Sequence, residues 1–284
     1  MSDRVELVLR WGVRFLRRHK PARVGALLVA LVALAAVLGP VLVPYGPNQP
    51  FERFLAPGLT HPLGTDSQGY DLLTRMLHGA RTTLLIAMVS MTLSLLLGSL
   101  AGALAGFLGG LVDLVLMRGI DFAMAFPSFL LAMVTVAVLG TELENVVLAV
   151  GLVGAPMFAR QVRAEVLRIK AQDYVVAARA LGLSPMRVLF RHVVPNSLGP
   201  IVVLGTLGLG AAILDVAGLN FLGLGGDPYR VPEWGLILSQ GWDKRPMANL
   251  QVAAAGLAIF VTVLGFNLLG DGLKDELDPR TRGR

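Results

Sequence analysis

Residues 24–43 read VGALLVALVALAAVLGPVLV, twenty positions without one charged side chain, and this run decides the fold class. A helix crossing the hydrocarbon core of a bilayer needs about 20 mostly apolar residues. Pro44 closes the run, and Arg4, Arg10, Arg14, Arg17, Arg18, Lys20 and Arg23 stand before it. Cations flanking a span stay on the cytoplasmic side, so the cluster places the N-terminus inside. A cleaved signal peptide is the rival reading, but the run is too long for one.

The composition agrees with a membrane setting. The 284 residues are 55% hydrophobic and 15% charged, where a soluble domain carries about 25% charged residues. The net charge of +6 reports basic cytoplasmic loops in such a chain, not nucleic-acid contact. Cysteine is absent, which excludes disulfides, thiolate metal sites and cysteine nucleophiles.

Downstream, Tyr45–Arg81 is rich in Pro and Gly and mixed in charge, which suits an outside loop. Further spans are expected over Thr82–Gly106, Leu114–Leu139, Val146–Val166, about Leu198–Gly218 and Leu250–Gly270, giving an all-α bundle of about six transmembrane helices. An even number returns the C-terminus to the cytoplasm. Charge checks the orientation. The stretch from Arg160 to Pro195 sets Arg160, Arg163, Arg168, Lys170, Arg179, Arg187 and Arg191 against Glu165 and Asp173. It belongs inside. The Leu219–Asn249 connection balances Arg230, Lys244 and Arg245 against Asp227, Glu233 and Asp243, and belongs outside.

Several features could carry chemistry. Gly98, Gly102, Gly106 and Gly110 recur at intervals of four, a small-residue ridge suited to close helix packing and, in a transporter, to sliding. Arg118 and Asp121 are spaced to bridge on one helix face. Asp215 is an ionisable residue near the outer end of the fifth span, so a place on a substrate path is one reading of it. Asp66 and Asp71 in HPLGTDSQGYD (61–71) read as turn and cap residues rather than metal ligands, and no metal site is expected. No Gly-Lys dipeptide occurs, so a phosphate-binding P-loop is excluded. His-Glu-x-x-His and Gly-x-Ser-x-Gly are missing too. If nucleotide energy is used, another chain must bind the nucleotide. An ion-coupled secondary transporter would need paired intramembrane charges or broken helices in both halves; an intramembrane enzyme would need a nucleophile, base or metal cluster.

The polar insert DYVVAARALGLSPMRVLFRHVVPNSLGP (173–200) is the most specific segment. Tyr174–Leu181 reads as a short helix ended by Gly182 in the left-handed conformation. Ser184 is a suitable N-cap with Pro185 in the first helical position. Met186–Val193 then forms a second helix, stopped by Pro195. Arg187 and Arg191 share a face, as do Ala177 and Leu181, and the small side chains of Ala177 and Ala178 let a partner close on the backbone. A protein-docking surface and an amphipathic loop lying on anionic headgroups both fit this spacing.

At these residues the chain resembles the permeases of ABC importers, whose Glu-Ala-Ala…Gly…Pro loop carries a coupling helix. Ala177, Ala178, Gly182 and Pro195 match, and the Glu position is Val176. HPLGTDSQGYD (61–71), GARTTLLIA (79–87), MRGIDFAMAFPSFLLA (117–132), NFLGLG (220–225) and FNLLGDGLKDELDPR (266–280) are similar to the C-type permease of dipeptide/oligopeptide importers, with nickel importers as close relatives. The family more often places an acid where this chain has Val216, next to Asp215.

The resemblance implies a type I ABC importer permease fold without catalytic residues. Residues 1–81 would form the cytoplasmic N-terminus, first span and outer loop; residues 82–284 would form a five-helix core carrying the coupling loop 168–197. It implies a bacterial-type inner membrane and both termini in the cytoplasm. The implied partners are a second, B-type permease, two ATP-binding subunits holding ATP and Mg, an extracytoplasmic binding protein and membrane lipid, with no nucleic acid. Coupling would use Ala177, Ala178, Gly182, Ser184, Arg187, Arg191 and Pro195. The substrate path would pass Asp215 and Asn220. The cargo implied is a di- or oligopeptide, with nickel or another small solute as the alternative.

Overall fold

In the computed structural model, residues 15–16, 18–244 and 246–277 are described. Arg4, Arg10, Arg14, Arg17, Arg245 and the Asp278–Arg280 end of the last family segment lie outside them. Among the described residues all regular structure is helical, apart from two isolated bridges, Pro50 to Tyr70 and Thr65 to Asp71. Five helical stretches are long and apolar enough to cross a membrane: Lys20–Leu42, Leu72–Leu108, Leu143–Lys170, Pro185–Phe221 and Asn249–Leu277. A sixth is counted if Gly110–Met124 and Ser128–Leu139, which meet at 90°, make one broken span.

That break divides the span expected over Leu114–Leu139 into two helices. Pro127 (φ −56°, ψ 123°) lacks an N–H and precedes the second helix, and its ring pushes Phe126 away from helical geometry. The chain therefore turns a corner between Met124 and Ser128. The loop expected over Tyr45–Arg81 is also shorter. Asp71 Oδ1 accepts the Thr74 N–H at 2.8 Å, which caps a helix beginning at Leu72, so the loop ends at Asp71 rather than Arg81.

The chain forms two compact units, residues 1–84, 206–217 and 227–284 in one, and 85–205 and 218–226 in the other. In the first, α1 (Lys20–Leu42) packs on the C-terminal helix Asn249–Leu277. Gly25 allows the contact: a Cβ there would lie 2.7 Å from the Gly265 carbonyl and the Leu269 nitrogen. In lipid, close backbone approach of this kind replaces the hydrophobic effect as the source of helix association. His19 Nε2 meets Glu276 Oε2 at 3.1 Å near one end of the pair.

The part of this unit around residues 61–83 and 228–236 is tied by buried polar groups. Arg75 is fully buried, with Asp66 at 3.0 Å, the Pro228 carbonyl at 2.5 Å and the Tyr70 ring 5.1 Å away. Asp66 Oδ1 also accepts from the Gln68 and Tyr70 backbone. The expected turn and cap roles of Asp66 and Asp71 are thus both present. His61 Nδ1 adds a 2.8 Å contact to Asp71 Oδ2. Glu233, also buried, receives the Thr83 hydroxyl at 2.8 Å and caps the short helix Trp234–Asp243 through the Leu236 N–H.

In the second unit, the Gly98, Gly102 and Gly106 ridge lies on the helix Leu143–Lys170. A side chain at Gly98 would strike Ala155 and Phe158, and one at Gly102 would strike the Ala159 carbonyl. Gly110 is not part of that ridge: Leu72–Leu108 has ended, and Gly109 and Gly110 have φ of +69° and +55° with open space around them. Asp113 and Asp121 do not pair within their own helix. Arg163 holds Asp113 in a bidentate contact, and Arg160 holds Asp121 at 2.8 Å. The expected Arg118–Asp121 bridge is thereby corrected. Two arginines from the facing helix compete for these carboxylates, and the paired fork of Arg163 is the stronger geometry.

Candidate functional site

The polar insert folds as a compact knob. The helix Leu143–Lys170 ends, Gln172 turns the chain, and a short helix Asp173–Ala180 follows. Asp173 in its first turn and Arg179 in its last both complement the helix dipole. Its end is a Schellman motif: Gly182 N–H bonds the Arg179 carbonyl at 2.9 Å, and Leu183 N–H bonds the Ala178 carbonyl at 3.2 Å. Gly182 has φ +83°, the left-handed geometry that glycine adopts without a Cβ penalty. Ser184 then occupies the N-cap position of Pro185–Val188, with Pro185 at its start. The Ser184 side chain makes no capping bond.

Pro195 does not stop the chain. Leu189–Val193 forms a π-helical turn that runs directly into Val194–Phe221, with Pro195 in the first turn of that helix. A proline has no N–H for the carbonyl four residues earlier. Local register shifts instead: the Val194 N–H reaches back to the Leu189 carbonyl. Side chains serve the neighbouring carbonyls, Asn196 Nδ2 at 2.6 Å from the His192 oxygen and Ser197 Oγ at 2.7 Å from the Val193 oxygen.

Beneath the knob lies its own apolar core, Phe107, Val162, Val166, Ile169, Val175, Val188, Leu189 and Val193. Val175 and Ala178 are the inward residues of the short helix, so the two alanines part company: Ala178 is buried and Ala177 is exposed. Outward stand Val176, Leu181 (82% exposed), Met186 and Phe190 (68%), together with Arg179, Arg187 and Arg191. Arg187, Arg191, Ala177, Gly182, Ser184 and Pro195 therefore all lie on the exposed side. Sequence reasoning assigned no role to Val176, Met186 or Phe190 in that surface. The available signal was apolar side chains inside an otherwise polar, basic insert.

The two residues read as a substrate path lie further along Val194–Phe221. Asp215 is half-buried between the fully buried Ile213 and Val216, and among the described residues it makes no hydrogen bond or ion pair. Asn220 is fully buried, its amide lying against Gly225 so closely that no Cβ fits there. Neither amide atom of Asn220 has a hydrogen-bond partner among the described residues.

Comparison with known proteins matches residues 95–283 to the family model of the binding-protein-dependent transport system inner membrane component. The chain belongs to this permease family. Residues 11–57 match, in addition, the N-terminal TM domain of oligopeptide transport permease C. The dipeptide transport system permease protein DppC of Alkalihalophilus pseudofirmus is 39% identical over 285 residues, covering 99% of this chain and 93% of that protein. The di/tripeptide transport system permease protein DppC of Pseudomonas aeruginosa is 42% identical, covering 93% and 89%. The glutathione transport system permease protein GsiD of Shigella flexneri is 42% identical, covering 95% and 89%. This permease is thus a multi-pass inner-membrane transport component of the ABC type, and its helical fold is that of a type I ABC permease.

Proposed function

We propose that this permease is one of two homologous membrane subunits of an ATP-driven importer of short peptides. Its residues 173–191 dock an ATP-binding subunit. One observation carries the reading: apolar side chains at Val176, Leu181, Met186 and Phe190 stand exposed on a knob braced by its own core. Apolar anchors ringed by charge are the usual composition of a protein-docking patch. Arg179, Arg187 and Arg191 favour a groove with carboxylates at its rim.

Both termini then lie in the cytoplasm with the knob. The outer loop 43–71 and the Pro228 connection face an extracytoplasmic binding protein, and a B-type permease completes the path. Asp215 and Asn220 border that path. ATP and Mg reside on the two ATP-binding subunits. This permease has no Gly-Lys dipeptide from which to build a phosphate loop of its own. The peptide cargo is inferred from the relatives above, which are named for dipeptide, di/tripeptide and glutathione transport. Closure of the ATP-binding subunits would move the knob and switch the bundle between outward and inward access, a rigid-body transition between two packed states.

The test is co-purification of the co-expressed complex. Leu181→Asp and Arg187→Glu should each reduce the ATP-binding subunit recovered with the permease by about ten-fold, the loss of one interface anchor. Full recovery in both variants would refute docking at this surface. Loss of vesicle binding with intact subunit recovery would instead assign the knob to lipid.

A further inference from the structure

Beneath the knob, one aromatic ring and two cations join three helix ends. The helix Leu72–Leu108 stops at Gly109, whose N–H still bonds the Ala105 carbonyl at 3.0 Å. Carbonyls in a last helical turn lack backbone donors and carry the negative end of the helix dipole. Lys170, the last residue of Leu143–Lys170, supplies the donor: its Nζ lies 2.7 Å from the Phe107 oxygen and 3.4 Å from the Gly106 oxygen. The same ammonium stands 5.7 Å from the centre of the Phe107 ring. From the short helix, the Arg179 guanidinium carbon stands 5.5 Å from that ring. Two like charges so near each other repel; the negative face of an aromatic ring and the helix-end carbonyls offset that repulsion. Phe107 itself is buried among Val166, Ile169, Val175 and Val188. A leucine would fill the apolar space and leave Lys170 its helix-end carbonyls, but it would remove the ring that both cations flank.

We propose that Lys170, Phe107 and Arg179 form a clamp transmitting movement of Asp173–Ala180 into the membrane helix Leu72–Leu108, with Lys170 as the positioning residue. The proposal rests on the docking reading above and concerns the next step, from knob to bundle. A purely apolar contact lets the short helix slide. A cation bonded to a helix end and flanking the same ring as Arg179 makes the three elements move together.

The experiment uses the complete transporter in proteoliposomes, with uptake of a labelled dipeptide and ATP hydrolysis measured side by side. Lys170→Met keeps the aliphatic stem, and Lys170→Arg keeps the charge and the donors. With Lys170→Met, ATP-binding subunits should co-purify at the normal level and hydrolysis should continue. Uptake per ATP should fall by at least about five-fold, as expected for losing a charge-assisted hydrogen bond. Lys170→Arg should restore more than half of it, and Phe107→Leu, which removes the ring but keeps the carbonyl that Lys170 bonds, should lower it less than Lys170→Met does. Unchanged uptake per ATP in Lys170→Met, or equal damage from Met and Arg, overturns the clamp. So does loss of subunit co-purification, which would make Lys170 part of docking. If Leu181→Asp also leaves assembly intact, the docking reading fails on its own, independently of the Lys170 result.

Discussion

Arg75 shows how much the polar end of the first unit depends on single side chains. Its guanidinium is fully buried, and Asp66, Tyr70 and the Pro228 carbonyl gather around it. Removing one partner of a buried ion pair leaves the other charge uncompensated, so Arg75→Met should cost about 3–5 kcal/mol. Thermal unfolding in detergent should register this as a clear fall in midpoint, partly recovered by adding Asp66→Asn. An unchanged midpoint would mean that Asp66 finds solvent. The exposed Arg230–Asp227 pair, by contrast, contributes little. The capping of Asp66 and Asp71 was legible because it acts over two to four residues. The partner of Arg75 at Pro228 lies 153 positions away, and no local pattern announces such a pairing. The arginines that claim Asp113 and Asp121 escaped notice for the same reason.

At the scale of elements, local rules read residues 173–200 well until the second proline, Pro195. Gly182 ends the short helix as its position implies, because only a residue free of Cβ strain takes φ +83° easily. Gly182→Ala has open space around it, so its cost should be conformational alone, about 1–2 kcal/mol. Hydrogen exchange should show faster opening of Asp173–Ala180 with the rest of the bundle unaffected; uniform acceleration would contradict a local role. Pro195 was read as a stop because proline rarely continues a helix. Here the missing N–H is absorbed by a π turn and by the Asn196 and Ser197 side chains, an accommodation set by the buried Val188, Leu189 and Val193 beneath it. Pro127 worked the other way: it broke the expected third span, a 90° corner that a reading by span-length hydropathy passes over although the proline stands in the sequence.

For the whole molecule, uncharged runs announced a membrane bundle, and charge asymmetry predicts its sides. The grouping of the N-terminal helix with the C-terminal one was not legible, since small residues such as Gly25 and Gly265 permit many partners. The central claim is that residues 173–191 form a cytoplasmic surface covered by an ATP-binding subunit. The chain contains no cysteine, so one introduced thiol is the only one it carries. The decisive measurement is labelling of Leu181→Cys and of Leu59→Cys, an exposed outer-loop position, by a membrane-impermeant maleimide. The account predicts that Leu181→Cys is labelled only in inverted vesicles and is protected when the ATP-binding subunits are co-expressed, while Leu59→Cys is labelled only from the opposite side. Labelling of Leu181→Cys from the outer side, or equal labelling with and without the ATP-binding subunits, would contradict it.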